Sequence, residues 1–538
     1  MEILAVIPAR GGSKGIPRKN IRLMNNKPLI AYSIENAKKC NAITDIVVTT
    51  DDEEISNISK FYGAEIIERA AELSGDTVTL DPVIYDATVR MEEKNNKKYD
   101  IVITLQATSP LLKSETLNKA IEVFCNSKYD TFISATNQPH LSWGKNENGF
   151  YPLYEKRLNR QQLPANYLEA GAFLITRRKF VKENSRMGQT ISVYEIPEGE
   201  ATDIDTISDW VVCESMLKRK KIVLRCDGYK ALGMGHIYHC LNLAYNLTEH
   251  DVILVTNENY EEGLNKIKSS NLKYTTIKND KDFYNFLEKY KPDIIVNDCL
   301  DTTSEYIQNL KKLANRVVTI EDMGEGTFYA DAVINALYDE TGGSNIYSGQ
   351  NYVSLRDEFL INTPKEFSNK VNDILVLFGG TDPANLTQKV YNVAKNMNNS
   401  DVKFTFILGI GYEHADQIIS IEEKNITVFK DVKNISEHMK KADLALTSQG
   451  RTIYELAVLG VPSIVLAQNE REKLHNFAQI DNGFLNLGLG IDVSEETIKN
   501  TIEWLIKVPY IRSEMRELML KNELKHGLKN EIKIILGE

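Results

Sequence analysis

Residues 3–20, ILAVIPARGGSKGIPRKN, constrain the fold of this chain more than any other stretch. Their apolar start, residues 3–7, is typical of a short buried strand that ends at Pro8. The loop that follows holds three glycines and four cations: Gly11, Gly12, Gly15, Arg10, Lys14, Arg18 and Lys19. Glycines let backbone N–H groups turn toward an anion, and the cations neutralise its charge. The loop therefore indicates a phosphate site, although strand, glycine-rich turn and helix also follow one another in α/β units that bind nothing.

The glycine spacing of this loop differs from both common phosphate-binding patterns. The Walker A loop requires G-x4-G-K-[ST], and the dinucleotide fingerprint requires G-x-G-x-x-G. Neither spacing occurs in residues 3–20, so the loop predicts a phosphate site of another kind.

The composition narrows the class of protein. A length of 538 residues predicts several domains, and a net charge of −11 argues against a non-specific nucleic-acid binder. There is no apolar run of about 18 residues that could span a membrane, and the N-terminus is typical of a core strand rather than a signal peptide. The six cysteines lack C-x-x-C spacing, which disfavours zinc and disulfides. We therefore expect a cytoplasmic protein without nucleic-acid or membrane partners.

The first half alternates strands with helices. Apolar runs predict strands at residues 45–50, 64–68, 101–105, 131–135 and 172–176, and residues 28–40 have a helical pattern. This alternation predicts a mostly parallel, doubly wound, Rossmann-like sheet. An acidic turn at residues 51–54 follows the strand at 45–50, at the edge where open α/β sheets bind ligands.

Two carboxylates near residue 204 form a candidate metal site. Asp203 and Asp205 are two residues apart, and in an extended segment they lie on one face. That spacing suits a cation with oxygen ligands such as Mg²⁺. A turn that caps the next helix would explain the same residues equally well.

Several motifs of the first half occur in one order: IPARGGSKGIPRKN, KPLIAYSIENA, VVTTDDEEI, ERAAELSGD, LQATSPLL, RQQLPANYLEAGAFLITRR and DIDTISD. On these motifs, residues 1–215 resemble the acylneuraminate cytidylyltransferases, which make CMP-activated nonulosonic acids. The resemblance implies that the anomeric hydroxyl of a sugar attacks the α-phosphorus of CTP and that pyrophosphate leaves. Such a transfer depends on positioning and charge neutralisation.

This resemblance also implies roles for residues, and a homodimer formed through the first half. CTP would be held by Arg10, Ser13, Lys14, Lys19, Asn20, Arg69, Ser74 and Asp76. The sugar would be held by Gln106, Thr108, Ser109, Arg160 and Gln161. Lys14, Lys19 and Asp205 would be catalytic, and Asp203 and Asp205 would bind Mg²⁺. The family often has Asn-Gly where this chain has Ala170-Gly171, which puts the identity of the acyl sugar in doubt.

A second α/β half follows a basic break at residues 214–221, which we predict to be a linker. After a strand from residue 222, Gly233 and Gly235 form a turn before His236, a position suited to acid–base chemistry. There are two alternatives for His236: it caps the helix or lies in the core, or it forms a metal-binding pair with His239. A His-x-x-His pair without a nearby third ligand is a weak indication of a metal site.

The rest of the second half predicts two similar lobes with a cleft between them. Two series of strand–helix units run from residue 222 to about 362 and from about 372 onward. Gly379, Gly380 and Thr381 form one glycine-rich turn, and the helix start near residues 448–450 is a natural diphosphate site. Glu455 lies within reach of ribose hydroxyls there, or is simply a solvated carboxylate.

These turns carry a second resemblance, through RCDGYKALGMGH, VNDCLD, IEDMGEG, YVSLRDEF, LFGGTDPANLT and SQGRTIYELAVLGVPSIVLAQNE. Residues 222–490 resemble the UDP-sugar hydrolase of pseudaminic acid synthesis, which is related to the two-lobed GT-B glycosyltransferases. The resemblance implies His236 as the catalytic base, with Asp227 either orienting His236 or contacting the sugar. It implies UDP-sugar contacts from Asp227, Gly235, Gly380, Thr381, Ser448, Gln449, Glu455 and Asn469. Relatives usually have Arg where this chain has His239, which makes the catalytic prediction less secure.

The two resemblances predict a bifunctional enzyme of nonulosonic acid synthesis, with a pseudaminic-type sugar favoured by the pairing. Its domains would be residues 1–213, a linker at 214–221, an N-lobe at 222–365 and a UDP-binding C-lobe at 366–538. Two alternatives remain for the second half: a glycosyltransferase, or a nucleotide-sugar-binding module without catalysis. Its partners would be CTP, a nonulosonic acid and a UDP-sugar.

Overall fold

The computed structural model describes residues 1–229, 232–338, 343–397, 401–419 and 424–538. These residues form two compact units, 1–219 and 220–538. Within the described ranges, no helix is long and apolar enough to cross a lipid bilayer.

The first unit contains eleven strands and five α-helices. Its strands are β1 (Ile3–Pro8), β2 (Leu23–Met24), β3 (Lys27–Pro28), β4 (Asp45–Thr50), β5 (Glu65–Glu68), β6 (Ile101–Leu105), β7 (Thr131–Asn137), β8 (Trp143–Asn146), β9 (Gly149–Pro152), β10 (Tyr167–Arg177) and β11 (Ile191–Glu195). Its helices are α1 (Leu29–Lys38), α2 (Glu53–Phe61), α3 (Leu80–Asn95), α4 (Ser114–Cys125) and α5 (Ile207–Lys218).

Seven of these strands form one sheet in the order β11-β7-β10-β6-β1-β4-β5. The central strand β1 is buried and pairs in parallel with β4 and β6. The chain first extends the sheet through β4 and β5, and then returns to place β6 on the other side of β1. This reversal creates a crevice beyond the carboxyl ends of β1 and β6, where open α/β sheets bind ligands. β10 is antiparallel to β6 and β7, so the sheet is mostly parallel, as predicted.

The linker between the units is shorter than the sequence suggests. Residues 214–218 complete α5, and the next strand begins at Lys221. The buried side chains of Trp210 and Cys213 hold this helix against the first unit. Of the basic run, Lys218 ends the helix and Lys221 begins β12.

The second unit contains thirteen strands and twelve α-helices in its described residues. Its strands are β12 (Lys221–Cys226), β13 (Asp251–Asn257), β14 (Tyr274–Ile277), β15 (Ile294–Asp298), β16 (Arg316–Ile320), β17 (Ala332–Asn335), β18 (Ile346–Ser348), β19 (Asp373–Leu377), β20 (Lys403–Leu408), β21 (Ile426–Lys430), β22 (Leu444–Thr447), β23 (Ser463–Ala467) and β24 (Phe484–Leu489). Its helices are α6 (Gly235–Asn246), α7 (Glu261–Lys268), α8 (Asp280–Tyr290), α9 (Ser304–Lys311), α10 (Asp357–Ile361), α11 (Leu386–Lys395), α12 (Ala415–Ile419), α13 (Ile435–Lys441), α14 (Thr452–Leu459), α15 (Glu495–Lys507), α16 (Pro509–Leu520) and α17 (Gly527–Leu536).

The second unit has two parallel sheets, one for each predicted lobe. The N-lobe sheet has the order β14-β13-β12-β15-β16-β17-β18, and the C-lobe sheet has the order β21-β20-β19-β22-β23-β24. Each sheet repeats the reversal of the first unit, between β12 and β15 in the N-lobe and between β19 and β22 in the C-lobe. The two reversals place a candidate crevice at the carboxyl edge of each sheet.

The boundary between the lobes differs from the predicted one at residues 365 and 366. Val353, Leu355 and Phe359 are buried in the apolar core of the C-lobe, although they precede the predicted boundary. Conversely, Leu528 and Ile535 of α17 are buried in the core of the N-lobe. The chain therefore enters the C-lobe core before residue 365 and returns to the N-lobe core at α17. Burial of apolar side chains stabilises both positions.

Candidate active sites

The glycine- and lysine-rich loop after β1 is held in shape by its own polar groups. The Asn20 side chain is buried, and its Nδ2 donates a hydrogen bond of 3.0 Å to the Arg10 carbonyl oxygen, which closes the loop. The Gly11 N–H donates to Asp51 Oδ1 at 3.0 Å, so the acidic turn after β4 anchors the other side. Arg18 adopts a left-handed backbone conformation with φ of 59° before the short helical turn that follows.

The same loop packs against the segment that carries Asp203 and Asp205. A Cβ atom on Gly15 would lie 2.6 Å from the Asp205 carbonyl oxygen, so the close approach requires glycine at this position. Lys19 Nζ donates to the Ile204 carbonyl oxygen at 2.5 Å and lies 3.6 Å from Asp205 Oδ1. Residues 186 positions apart in the chain are thereby joined into one site.

A cavity of about 400 Å³ opens where these segments meet. Ten of the residues predicted from the sequence line it: Arg10, Ser13, Lys14, Lys19, Asn20, Arg69, Asp76, Gln106, Thr108 and Asp205. The crevice between β1 and β6 therefore brings together most of the predicted cytidylyltransferase residues.

Five predicted residues lie outside the lining of this cavity, and one of them is the candidate metal ligand Asp203. Ser74 is next to it, but its hydroxyl donates to the Ala70 carbonyl oxygen. The buried Ser109 hydroxyl has no hydrogen-bond partner. Arg160 and Gln161 are exposed on a short helical turn, and Arg160 lies 3.7 Å from Glu198. Their predicted sugar contacts stay predictions.

Cations at the cavity share one carboxylate. Arg10 Nη1 and Lys14 Nζ lie 2.9 Å and 2.6 Å from the two oxygens of Asp76. The hydrogen bond from Lys14, helped by Arg10, holds the pKa of Asp76 below its usual value. Burial lowers the pKa of the Arg69 guanidinium, and the charge of Asp51 partly offsets this effect. Asp76 therefore pairs with two of the cations that line the cavity.

The carboxylate of Asp203 takes no part in capping the next helix. The cap of α5 is Thr206, which forms a reciprocal capping box with Asp209 and leaves Asp203 free of that role. Burial first, and then the charge of Asp205, raise the pKa of Asp203, although Thr108 donates a hydrogen bond to it. Its Oδ1 is buried without a hydrogen-bond partner.

Gly171 brings the backbone of β10 close to Asp203. It lies in the irregular part of β10 with φ of +67°, and a Cβ atom there would lie 2.8 Å from Asp203 Oδ2. The backbone of this segment therefore approaches the candidate metal ligand directly. Sequence reasoning noted the Ala170-Gly171 pair for its missing amide and missed this contact.

The second unit holds its candidate base at the reversal of the N-lobe sheet. His236 lies in the first turn of α6, after β12, and Asp298 is the last residue of β15. His236 Nδ1 lies 2.5 Å from Asp298 Oδ1. A carboxylate that accepts the Nδ1 proton fixes the imidazole tautomer, so that Nε2 is the nitrogen able to accept a proton.

Asp298 also binds His239. The second carboxylate oxygen of Asp298 lies 2.7 Å from His239 Nδ1, and His239 Nε2 lies 2.8 Å from Glu531 Oε1. The two histidines therefore share one carboxylate. Asp227, which was predicted to orient His236 or to contact sugar, forms a bidentate ion pair with Arg225 at 2.6 and 2.7 Å. Asp298 orients His236 instead.

The glycine turn of the C-lobe meets the loop that precedes His236. A Cβ atom on Gly380 would lie 3.4 Å from the Met234 side chain, so Gly380 and Gly235 belong to facing turns. Thr381 follows and is partly exposed. Ser448 is buried in the turn after β22.

Three other residues predicted to bind UDP form hydrogen bonds with other groups of the protein. The Gln449 amide donates to the His475 carbonyl oxygen at 2.6 Å, and the exposed Asn469 accepts a hydrogen bond from the Glu472 N–H. Glu455 accepts from Arg356 at 2.8 Å, and burial raises the pKa of Glu455. Contact between these residues and UDP stays a prediction.

Sequence reasoning missed two carboxylates of the second unit. Asp298 lies in the motif VNDCLD, which was used only for the resemblance, and its position at the end of a buried strand was the available signal. Glu472 accepts from the backbone N–H groups of Gln449 and Gln468, and burial raises the pKa of Glu472 to about 7. No spacing pattern in the sequence marks Glu472.

Fold and site together define the first unit as a nucleotidyltransferase. Residues 4–223 match the cytidylyltransferase family, and residues 374–527 match the glycosyltransferase family 28 C-terminal domain. A pseudaminic acid cytidylyltransferase of Campylobacter jejuni is 36% identical over 217 residues, which cover 39% of this chain and 93% of that protein. The chain belongs to the cytidylyltransferase family.

Other relatives extend beyond the first unit. A Helicobacter pylori protein, named pseudaminic acid cytidylyltransferase and UDP-2,4-diacetamido-2,4,6-trideoxy-beta-L-altropyranose hydrolase, is 24% identical over 558 residues, 99% of this chain and 100% of that protein. An uncharacterized protein of Methanocaldococcus jannaschii is 29% identical over 275 residues, 47% of this chain and 57% of that protein. The chain thus spans little more than half the length of that archaeal relative.

Among solved structures, Acinetobacter baumannii MurG is similar over 58% of this chain and 99% of its own, with 14% identity and a TM-score of 0.43. The predicted family, the α/β fold with a two-lobed GT-B-like second half, and the enzyme class are confirmed.

The contact of Gly15 with Asp205 generates a test of the first site. In Gly15→Ala the added Cβ would meet the Asp205 carbonyl oxygen at 2.6 Å, so the two segments must separate. We expect CTP-dependent pyrophosphate release to fall about 10- to 100-fold, the cost of displacing a positioned group by about 1 Å. Gly12→Ala is the matched control, because a Cβ atom there meets nothing within 4 Å. Equal losses in both variants would contradict the assignment.

Proposed function

We propose that this chain is a bifunctional enzyme of nonulosonic acid synthesis. Its first unit transfers CMP from CTP to a sialic-acid-like sugar, with a pseudaminic-type sugar favoured, and releases pyrophosphate. Its second unit hydrolyses a UDP-linked diacetamido-trideoxyhexose and releases UDP. The observation that carries this proposal is the end-to-end similarity to the Helicobacter pylori protein whose name contains both activities.

The first reaction requires charge neutralisation and alignment. Lys14, Arg10 and Lys19 line the cavity and would bind the triphosphate, displacing Asp76 from the first two. Gln106 and Thr108 line the same cavity after β6 and would hold the sugar against the α-phosphate. The anomeric oxygen then forms a bond to the α-phosphorus, and the bond to the β-phosphate oxygen breaks with its electron pair on pyrophosphate.

Asp203 and Asp205 would hold Mg²⁺ in this reaction. The unpartnered buried Oδ1 of Asp203 and the charge repulsion between the two carboxylates both fit a cation. Mg²⁺ usually binds through one or two carboxylates together with substrate phosphates, which agrees with two ligands from the chain. When bound, the ion supplies Lewis-acid polarisation of the phosphate oxygens.

The metal assignment predicts a pH-dependent requirement for Mg²⁺. Because burial raises the pKa of Asp203, its carboxylate takes up a proton at a higher pH than an ordinary aspartate, and the proton competes with the ion. We expect the Mg²⁺ concentration for half-maximal pyrophosphate release to rise as pH falls, and Asp203→Asn to abolish Mg²⁺-dependent release.

This measurement uses the full chain, CTP and a panel of nonulosonic acids, which also identifies the sugar. Glu93→Gln, an exposed carboxylate on α3, is the control and should behave as the wild type. Undiminished activity in Asp203→Asn would refute the metal site.

The second reaction uses His236 as general base. Asp298 holds Nδ1–H, so Nε2 takes a proton from water while the water oxygen bonds to the anomeric carbon. The bond from that carbon to the diphosphate oxygen breaks, and the electron pair leaves with UDP. The turn at residues 448–450, before α14, and the glycine turn at residues 379–381 would hold the diphosphate.

Removing the carboxylate that orients His236 tests this mechanism. Asp298→Asn keeps the size of the side chain but changes the hydrogen bond that selects the tautomer. We expect kcat for UDP release to fall about 10²–10⁴-fold, the usual contribution of a positioned general base, with UDP affinity unchanged. Glu288→Gln on the surface of α8 is the control. Wild-type kcat in Asp298→Asn would refute the role of His236.

A glycosyltransferase is the second candidate for this unit, favoured by the match of residues 374–527 to glycosyltransferase family 28. UDP release by the wild type without an acceptor supports hydrolysis, and release that depends on an acceptor supports transfer. Binding without release would leave a nucleotide-sugar-binding module.

We propose further that the chain forms a homodimer through its first unit. The β8–β9 hairpin exposes apolar side chains that a second copy would cover, with Trp143 54%, Phe150 73% and Leu153 61% exposed. Sedimentation of the full chain should give twice the mass of 61.0 kDa. Trp143→Asp with Phe150→Asp should give the monomer, whereas Ile491→Asp, 65% exposed in the second unit, should not. A monomeric wild type would refute the dimer.

A further inference from the structure

A cluster of buried charges lies behind His236 and extends to the helix α17. Asp298, Glu321, Glu531 and His239 are each at most 5% exposed. Arg451, at the start of α14, approaches the cluster and lies 2.9 Å from Glu321. These residues come from five separate elements, and the proposed reaction uses only Asp298 among them.

The contacts within this charge cluster form a chain that ends at His236. Glu531 Oε1 lies 2.8 Å from His239 Nε2, and His239 Nδ1 lies 2.7 Å from Asp298 Oδ2. The other oxygen of Asp298 lies 2.5 Å from His236. His239 Nδ1 is thus hydrogen-bonded to Asp298, whereas Nε2 lies at ion-pair distance from Glu531 without hydrogen-bond geometry. Two carboxylates this close to one imidazole favour its positively charged form.

The charge balance of the cluster favours the same protonation state. With neutral His239, a single cation, Arg451, would face the three carboxylates of Asp298, Glu321 and Glu531. A proton on His239 supplies a second cation at the place where two of these carboxylates converge. Buried charges are tolerated when each has a partner of opposite sign, and an unpaired buried carboxylate is costly.

The pKa shifts in the cluster agree with this protonation state. Burial and the nearby Arg451 oppose the proton on His239, but Glu531 and Asp298 outweigh them and raise the pKa of His239 to about 9. Despite its burial, Asp298 has a pKa well below the usual value, because His236 and His239 stabilise its charge.

The remaining titratable groups around Asp298 are thiols that stay neutral. Burial raises the pKa of Cys240, which is also affected by Cys226 and Asp298, and burial likewise raises the pKa of Cys299. Their contribution to the charge balance at Asp298 is therefore that of neutral, weak donors.

We propose that Glu531 is a positioning residue for the second active site: through His239 it keeps the Asp298 carboxylate ionised and His236 in the tautomer that accepts a proton at Nε2. This inference rests on the proposed UDP-sugar hydrolysis for its kinetic consequence. It assigns His239 the role of a buried cation between two carboxylates. It also gives α17 a role in catalysis, because this helix packs on the N-lobe and carries Glu531.

The consequence of removing the Glu531 charge follows from the same contacts. In Glu531→Gln, His239 loses one of the two anions that favour its proton. When His239 is neutral, His236 becomes the remaining partner able to supply Asp298 with a cation, and a protonated His236 cannot accept a proton from water. The variant should therefore need a higher pH for activity.

Two measurements on the full chain test the role of Glu531. Nitrogen-15 spectra of selectively labelled histidines, resolved with His239→Gln, should show both His239 nitrogens protonated at pH 7 in the wild type, with titration at a pH of about 9. In Glu531→Gln this titration should move down by about one pH unit or more. For UDP release, the acidic limb of the kcat–pH profile should move to higher pH, with KM unchanged.

Glu523→Gln removes an exposed carboxylate shortly before α17 and should leave both measurements at wild-type values. A neutral His239 in the wild type at pH 7 overturns the proposal without any variant, so it stays testable if Glu531→Gln fails to fold. Unchanged His239 titration or an unchanged pH profile in Glu531→Gln also overturns it. If the wild type releases no UDP, the hydrolase function fails, while the His239 titration still decides whether Glu531 holds the proton.

Discussion

Each candidate site depends on one constraint, the reversal of strand order beside the first strand of a parallel sheet. Helices that pack on opposite faces of the sheet leave a gap where successive connections diverge, and loops from two neighbouring strands line that gap. The gap lies between β1 and β6 in the first unit, and between β12 and β15 and between β19 and β22 in the second. Without this reversal, Lys19 would not lie near Gln106, and His236 would not reach Asp298.

The sequence indicated the residues that lie next to the first strand of each sheet. The loop at residues 10–20, His236 and the turn at residues 379–381 each follow a strongly apolar run, and local pattern was enough to find them. The strands at residues 45–50 and 101–105 were predicted to the residue, since their apolar runs have clear polar ends. The family resemblance then supplied most of the residues that line the cytidylyltransferase cavity.

What the sequence could not indicate depends on contacts between distant residues. Asp298 is 62 positions from His236, and Glu531 lies in an amphipathic helix whose pattern gives no sign of which lobe it joins. Asp227 is as polar as Asp298 and nearer to His236 in the chain, but its carboxylate forms an ion pair with Arg225. Only the strand order decides which carboxylate faces the histidine. The contact of Gly171 with Asp203 was likewise not indicated by the sequence, because it arises from the irregular part of β10.

The crossing of α17 has a consequence for synthesis of the protein. The N-lobe sheet is complete at Ser348, whereas Leu528 and Ile535, which lie in its core, are made about 180 residues later. During translation the nascent N-lobe therefore presents an apolar groove to the ribosome exit and to chaperones until the whole C-lobe has emerged. The first unit has no such delay, since its core is built from its own residues. Slow synthesis is thus more hazardous for the second unit, and its aggregation during expression should depend on translation rate.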